Sequence, residues 1–389
     1  MVPSIVFIFG AFIGSFLNVC IHRLPRNESI VTPPSRCYSC GTRVQWYDNL
    51  PIISYLILGG RCRWCGAGFS VRYLVMELVA GALTVGVMCW VFDRGNHEVL
   101  SPWLHWAWGG SPIADLAARA CAGAAVLSLA FYLLVSAMID YEHFIIPDEL
   151  TKSFQLAAPV LAVMTGANLA YGDAGWLANW LVPPQSLQSA PHAIDVTPGR
   201  FLTNLLELGF GVLALLSLSL VAAGRIYRRY SSWEQPWTPE DQRGLSIGVW
   251  WFSGCTLVGL LAVTLVVLTK PGAWWSLLAL QGAQSLCGSM AGWLSLYLVG
   301  LLGTLAFKRN AMGFGDVKFL APIGAFLGPI GVVYAFFAAA LVGTIISVPM
   351  RLLKESREIP FGPYLAIGSL MVLYGGPRLH HWLFQPLPH

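Results

Sequence analysis

Stretches of about 20 apolar residues, the length that crosses a hydrocarbon layer as a helix, recur along the chain with polar breaks between them. The first runs from Val2 to Ile21 and closes on His22-Arg23-Leu24-Pro25-Arg26. Others lie near Tyr73 to Phe92, Arg119 to Ile139, Thr151 to Tyr171, Phe201 to Gly224, Ser246 to Thr269, Leu286 to Phe307, Pro329 to Met350 and Phe361 to Tyr374. The pattern predicts an all-α polytopic membrane protein with about 8–10 transmembrane helices. One piece strains this scheme. Val317 to Gly328 has to cross before the Pro329 run returns, yet as a helix it is only about 18 Å long. A short span broken by Gly and Pro, buried against protein, is expected there. No internal repeat, heptad array or low-complexity segment stands out.

Composition removes the soluble alternative. Of 389 residues, 56% are hydrophobic and 11% charged, with a mean hydropathy of +0.64; soluble domains carry about 25% charge. Most of the surface therefore has to face membrane lipid. A net charge of +4 is too small to imply nucleic acid, and its placement says more than its total. Between His22 and Arg72 stand seven Arg and only two acids, Glu28 and Asp48. The positive-inside rule puts this segment in the cytoplasm and makes Val2 to Ile21 an uncleaved anchor with its N-terminus outside. Alternate threading then places 93–115 and 172–200, poor in Lys and Arg, outside. Arg225-Ile226-Tyr227-Arg228-Arg229, Lys308-Arg309 and Arg351 to Arg357 fall inside. The expected organisation is a transmembrane helix (1–21), a cytoplasmic loop (22–72), transmembrane helices (73–165), a region of further spans and loops (166–290), more transmembrane helices (291–376) and a tail (377–389).

Within the loop, Cys37-Tyr38-Ser39-Cys40 and Cys62-Arg63-Trp64-Cys65 form two CxxC turns separated by 21 residues, close to the spacing of a four-thiolate zinc ribbon. Gly41 and Gly66, directly after each second Cys, suit such tight turns, and Arg36, Arg61 and Arg63 are expected to favour thiolate. The alternative is a pair of disulfides, which a reducing cytoplasm disfavours. Four protein thiolates fill a Zn2+ shell, so the metal would be structural. The remaining cysteines, Cys20, Cys89, Cys121, Cys255 and Cys287, lie alone in apolar runs and read as small buried hydrophobes.

Acids at the ends of apolar spans are costly and so are candidates for chemistry. Asp140 ends the run in Met138-Ile139-Asp140-Tyr141-Glu142-His143-Phe144-Ile145-Ile146-Pro147-Asp148. Asp316 opens another in Met312-Gly313-Phe314-Gly315-Asp316-Val317-Lys318. The long runs between them begin at Thr151, Phe201, Ser246 and Leu286, an even number, which returns Asp316 to the side of Asp140. Two carboxylates sharing one water do not both ionise cheaply, so one keeps a proton while the other acts as base. That is aspartic protease chemistry. Gly313 and Gly315 leave room for a substrate backbone or the other aspartate. Lys318 either tunes the site or snorkels, the commoner fate. The plain alternative for Asp140 is a helix-end carboxylate facing water, as expected of Glu142, Asp148 and Glu149.

In this order the motifs resemble those of the type IV prepilin peptidases, bacterial leader peptidases of the GxGD, A24-type aspartic family that are also N-methyltransferases. The resemblance rests on Gly14-Ser15-Phe16-Leu17-Asn18-Val19 with His22-Arg23-Leu24-Pro25, the two CxxC turns, and Asp48-Asn49-Leu50-Pro51 through Ser54-Tyr55-Leu56. Gly60-Arg61-Cys62, Arg72-Tyr73 with Glu77, Asp140 with Ile146-Pro147-Asp148, Gly313 to Lys318, and Phe361-Gly362-Pro363 follow in order. It implies catalysis by Asp140 and Asp316 with Gly313, Gly315 and Lys318 in support. The substrates it implies are prepilins or type II secretion pseudopilins, cut after a Gly at the cytoplasmic face of the bacterial inner membrane. It also implies methylation of the new N-terminus from S-adenosylmethionine, with binding residues sought around Gly14, Ser15, Asn18 and Glu77. The chain departs from the family in length, since 172–290 reads as an insertion. Two other readings compete: a transporter or assembly scaffold with a zinc-bound docking loop and an Asp ion relay, and a presenilin-like protease, against which the CxxC pair counts.

Overall fold

The structure is a computed structural model and describes residues 2–92, 112–165, 254, 256–265, 273–307, 312–353 and 360–384. In chain order its helices are α1 (Val2–Arg23), α2 (Ile53–Ile57), α3 (Arg72–Phe92), α4 (Pro112–His143) and α5 (Asp148–Thr165). They continue with α6 (Thr256–Leu265), α7 (Ala273–Phe307), α8 (Phe314–Leu353) and α9 (Gly362–Phe384). Among the described residues there is no strand, only two isolated bridges in the loop between α1 and α3. The protein is an all-α polytopic membrane protein. Five segments of the described residues are long and apolar enough to span a membrane: Val2–Arg26, Arg72–Phe92, Arg119–His143, Gln281–Phe307 and Phe314–Pro349. The run at Phe201 to Gly224, most of 93–115 and of 166–290, 172–200, the basic segments Arg225 to Arg229 and Lys308-Arg309, and Cys255 lie outside the described residues.

Lipid tails are as apolar as the helices, so helix association in a bilayer rests on close packing. Small residues provide it at two seams. A Cβ on Gly14 of α1 would stand 2.8 Å from Ala80 Cβ and 2.9 Å from the Met76 carbonyl of α3. On α7, a Cβ on Gly292 would stand 2.5 Å from the Leu320 carbonyl of α8, and one on Gly288 would overlap the Gly324 carbonyl. The second seam seats the start of α8, where Asp316 sits. Gly14 thus serves the α1–α3 contact first.

The expected break after Gly328 is present. Gly328 has φ 70° and ψ 175° inside α8 and is followed by Pro329. A Cβ on Gly324 would lie 3.0 Å from Val332 Cγ2, whereas eight residues of straight helix advance about 12 Å. The chain therefore folds back at Gly328-Pro329. The short arm before the fold is lined with buried Phe319, Leu320, Ile323 and Phe326, which join α4, α5, α7 and α9 in the main core.

Three expectations change. Cys20 and Cys287 are buried, but Cys89 and Cys121 point outward, where lipid suits a thiol as well as a core does. Helix α9 runs on to Phe384, past the tail boundary expected at 376. The loop also contains a structural repeat. In each CxxC turn the first Cys donates its N–H across the turn, Cys37 to Thr42 at 2.9 Å and Cys62 to Ala67 at 2.8 Å. Bridges Arg36 with Arg43 and Arg61 with Gly68 flank them, and Gly41 and Gly66 share φ 70°.

Candidate active site and thiolate cluster

Asp140 lies in the last turn of α4, only 7% exposed, and Asp316 in the first turn of α8. The fold brings them to one end of the bundle, where Gly315, beside Asp316, meets Ile146 of the chain that follows Asp140. The N-terminus of α9 completes the cluster, with the Gly362 N–H donating to Asp140 Oδ2 at 2.9 Å. Asp140 is therefore not a helix-end acid facing water. The glycines of the second motif divide their work. A Cβ on Gly315 would stand 3.4 Å from Ile146 Cβ, so this glycine packs against the chain following Asp140, while one on Gly313 would make ordinary contact with Asp316.

Around the pair the other ionisable groups are tied to one another. Lys318 Nζ donates to Asp148 Oδ1 at 2.5 Å and does not snorkel. Lys152 holds the other Asp148 oxygen at 2.8 Å, and Glu142 at the end of α4 pairs with Arg72 at the start of α3. Asp148 and Glu142 thus clasp neighbouring helices, which their sequence positions did not reveal. Because Asp148 is 42% exposed, its pairs are worth about 1 kcal/mol at most. Asp148→Asn is expected to slow cleavage less than about tenfold, measured beside Asp140→Asn as the control for a change of charge at this end.

In the loop, the Sγ atoms of Cys37, Cys40, Cys62 and Cys65 lie within 4.8 Å of one another. This arrangement can hold a metal ion. Cys37 Sγ and Cys65 Sγ are 3.8 Å apart, too far for a disulfide but equal to the edge of a tetrahedron with metal–sulfur bonds of about 2.3 Å. Hydrogen bonding from the Thr42 side chain and backbone brings Cys40 down to about 6. Cys65 is pushed up to about 11: the Ala67 N–H favours its thiolate, but burial and the other three thiols outweigh it. Four thiols at this spacing resist ionising together unless a cation joins them. The arginines contribute less than expected, since Arg63 is held by Asp48 at 2.9 and 3.0 Å.

A cavity of about 160 Å³ lies between this loop, α1 and α3, lined among others by Ser15, Asn18, Glu28, Tyr38, Tyr73 and Glu77. Asn18 donates to the Tyr73 carbonyl at 3.2 Å while its own Oδ1 is buried without a partner. Glu77, 7% exposed, accepts the Ile52 N–H at 2.7 Å. Ile52 is held at φ 64°, a conformation a β-branched residue rarely adopts. Arg23 pins the loop's first turn through the Ser29 and Pro33 carbonyls at 2.9 and 2.8 Å. Glu77 is thus an internal group facing the cavity and not an acid among headgroups.

Residues 8–92 match the family model of the bacterial peptidase A24 N-terminal domain, and 254–348 that of the type IV leader peptidase family. Asp316 lies within the second match; Asp140 falls between the two. The "Prepilin leader peptidase/N-methyltransferase" of Myxococcus xanthus is 27% identical, the alignment covering 98% of this chain and 92% of that protein. Those of Aeromonas hydrophila and Pseudomonas aeruginosa are 26% and 24% identical, each over 97% of this chain and 92% of the relative. No solved structure matches. Both family models match in order and relatives align along nearly the whole length, so the chain carries one region similar to the bacterial peptidase A24 N-terminal domain and one similar to the type IV leader peptidase family.

Proposed function

We propose that the protein is a membrane aspartic endopeptidase that removes the leader of prepilins or pseudopilins and N-methylates the new terminus. The observation that carries the peptidase reading is the convergence of Asp140 and Asp316 on one end of the bundle. The ionised carboxylate takes a proton from a water held between the two, and the water oxygen attacks the scissile carbonyl carbon. The protonated carboxylate gives its proton to the carbonyl oxygen. Collapse of the tetrahedral intermediate breaks the C–N bond, and the amine leaves with the proton first taken. The seven Arg between His22 and Arg72 support a cytoplasmic loop, with the catalytic end on the same face of the inner membrane. Incubating membranes with a model prepilin, and reading product size and N-terminal mass together, tests both activities. An uncut substrate, in the presence of accumulated protein, would refute the reading.

The cavity beside the loop fits the second activity. Its carboxylates Glu28 and Glu77 and its rings Tyr38 and Tyr73 suit a sulfonium cation, and the open Asn18 Oδ1 offers an acceptor. S-adenosylmethionine, when bound, supplies an electrophilic methyl group. These residues would hold it and exclude water, and the four cysteines, holding structural Zn2+, would keep the loop folded over it. Glu77→Gln is expected to lower methylation at least about tenfold and leave cleavage unchanged, measured by mass on an uncleaved and an already cleaved peptide.

A further inference from the structure

We infer that Gly362 is the positioning residue of the carboxylate pair: its backbone N–H, at the start of α9, fixes Asp140 as the charge-bearing member and leaves the proton on Asp316. This rests on the peptidase reading above.

The first N–H groups of a helix have no partner within it. At the start of α9 the preceding residue is Phe361, whose side chain cannot accept, and the following one is Pro363, which has no N–H. Asp140, 222 positions earlier, supplies the missing acceptor at 2.9 Å. An N–H only donates, so the oxygen it meets presents a lone pair. Such a bond is strongest to a charged acceptor, and the positive end of the α9 dipole adds to it. Asp316 also sits in a first turn, that of its own helix. Among the described residues, however, no donor reaches its carboxylate and no Lys or Arg pairs with either aspartate.

The neighbours leave this assignment to Gly362. Asp148 is held by Lys152 and Lys318, and Glu142 by Arg72. Tyr141 and His143 flank Asp140 on α4. Asp316 is the acid that α8 brings to the same end of the bundle, through the packing of Gly315 on Ile146. Position 362 is also sterically closed: a Cβ there would stand 2.6 Å from Asp140 Oδ2 and 3.1 Å from its Cγ. Any other residue displaces the carboxylate.

The test uses the full-length protein in membranes with a synthetic prepilin peptide. Gly362→Ala is expected to lower kcat about tenfold or more, with KM little changed, and to move the acidic limb of the rate profile to higher pH by about one unit. Glycolate in place of Gly362, which turns the amide into an ester, removes the N–H without adding an atom. It should reproduce the pH displacement even if the alanine variant fails to fold. Gly368→Ala is the packing control, because its Cβ would press on the Ala339 amide nitrogen and the Ala335 carbonyl of α8; it should lower thermal stability and leave the pH limb in place. A wild-type pH profile in the ester variant, or an equal displacement in Gly368→Ala, would overturn the inference. If Asp140→Asn and Asp316→Asn still cleave, the peptidase reading itself is at fault.

Discussion

Asparagine at Asp140 or at Asp316 lowers cleavage of a prepilin substrate by about a thousandfold or more while the protein still accumulates in membranes. The expectation follows from the division of labour in the pair, since one carboxyl group cannot be proton donor and base in the same step. Asparagine keeps size and hydrogen bonding but can neither lose nor supply that proton. Glutamate is expected to fail as well, because one more methylene carries the oxygens more than 1 Å, on the order of a bond length, from a geometry that allows little slack. A transporter using the same acids as an ion relay would tolerate glutamate, so the Asp→Glu pair separates the two readings. Near-normal cleavage by either asparagine variant, read from product size and N-terminal mass, would end the aspartic mechanism. The cavity between the loop, α1 and α3 is formed without Asp140. Asp140→Asn given an already cleaved peptide is accordingly expected to transfer methyl groups at the wild-type rate.

Serine at any one of Cys37, Cys40, Cys62 or Cys65 strips the metal from the loop. The wild-type protein is expected to carry about one zinc ion per chain by elemental analysis, filling the four-thiolate shell. The loop between α1 and α3 is held by two knuckle turns and a few capping bonds, so coordination supplies most of its folding free energy, on the order of 10 kcal/mol. Each variant should show loss of zinc and rapid proteolysis between Arg26 and Arg72. Methylation should fall about tenfold or more, because Tyr38 and Arg61 reach the cavity from the knuckles. Cleavage should persist, since among the described residues no hydrogen bond or ion pair joins the loop to Asp140 or Asp316, and Asp140 is held by Gly362 of α9. Purified protein without zinc, with the four thiols oxidised to disulfides, would remove the metal and the reducing compartment together.

The sequence by itself determined the helices, the thiolate cluster and the two acids. A bilayer imposes length and apolarity on each spanning helix separately, so Val2 to Ile21 or Tyr73 to Phe92 can be read from its own residues. The CxxC turns are local for the same reason: two thiolates three residues apart need only their own backbone and one glycine. Even the fold-back at Gly328-Pro329 announced itself, as a span too short to cross. Only the tertiary structure decided which surfaces meet. Helix α7 buries Gln281, Gln284 and Ser285 on the side of Gly288 and Gly292, but that this side meets α8 is decided only by the close fit of the two backbones at those glycines. Asp148 with Lys318 and Arg72 with Glu142 join positions 170 and 70 apart, and each charge looked solvated because nothing local marked its partner. The bond from Gly362 to Asp140 spans 222 positions. It arises because a helix start carries unpaired N–H groups, and which acceptor fills that place is fixed only when α4, α8 and α9 pack.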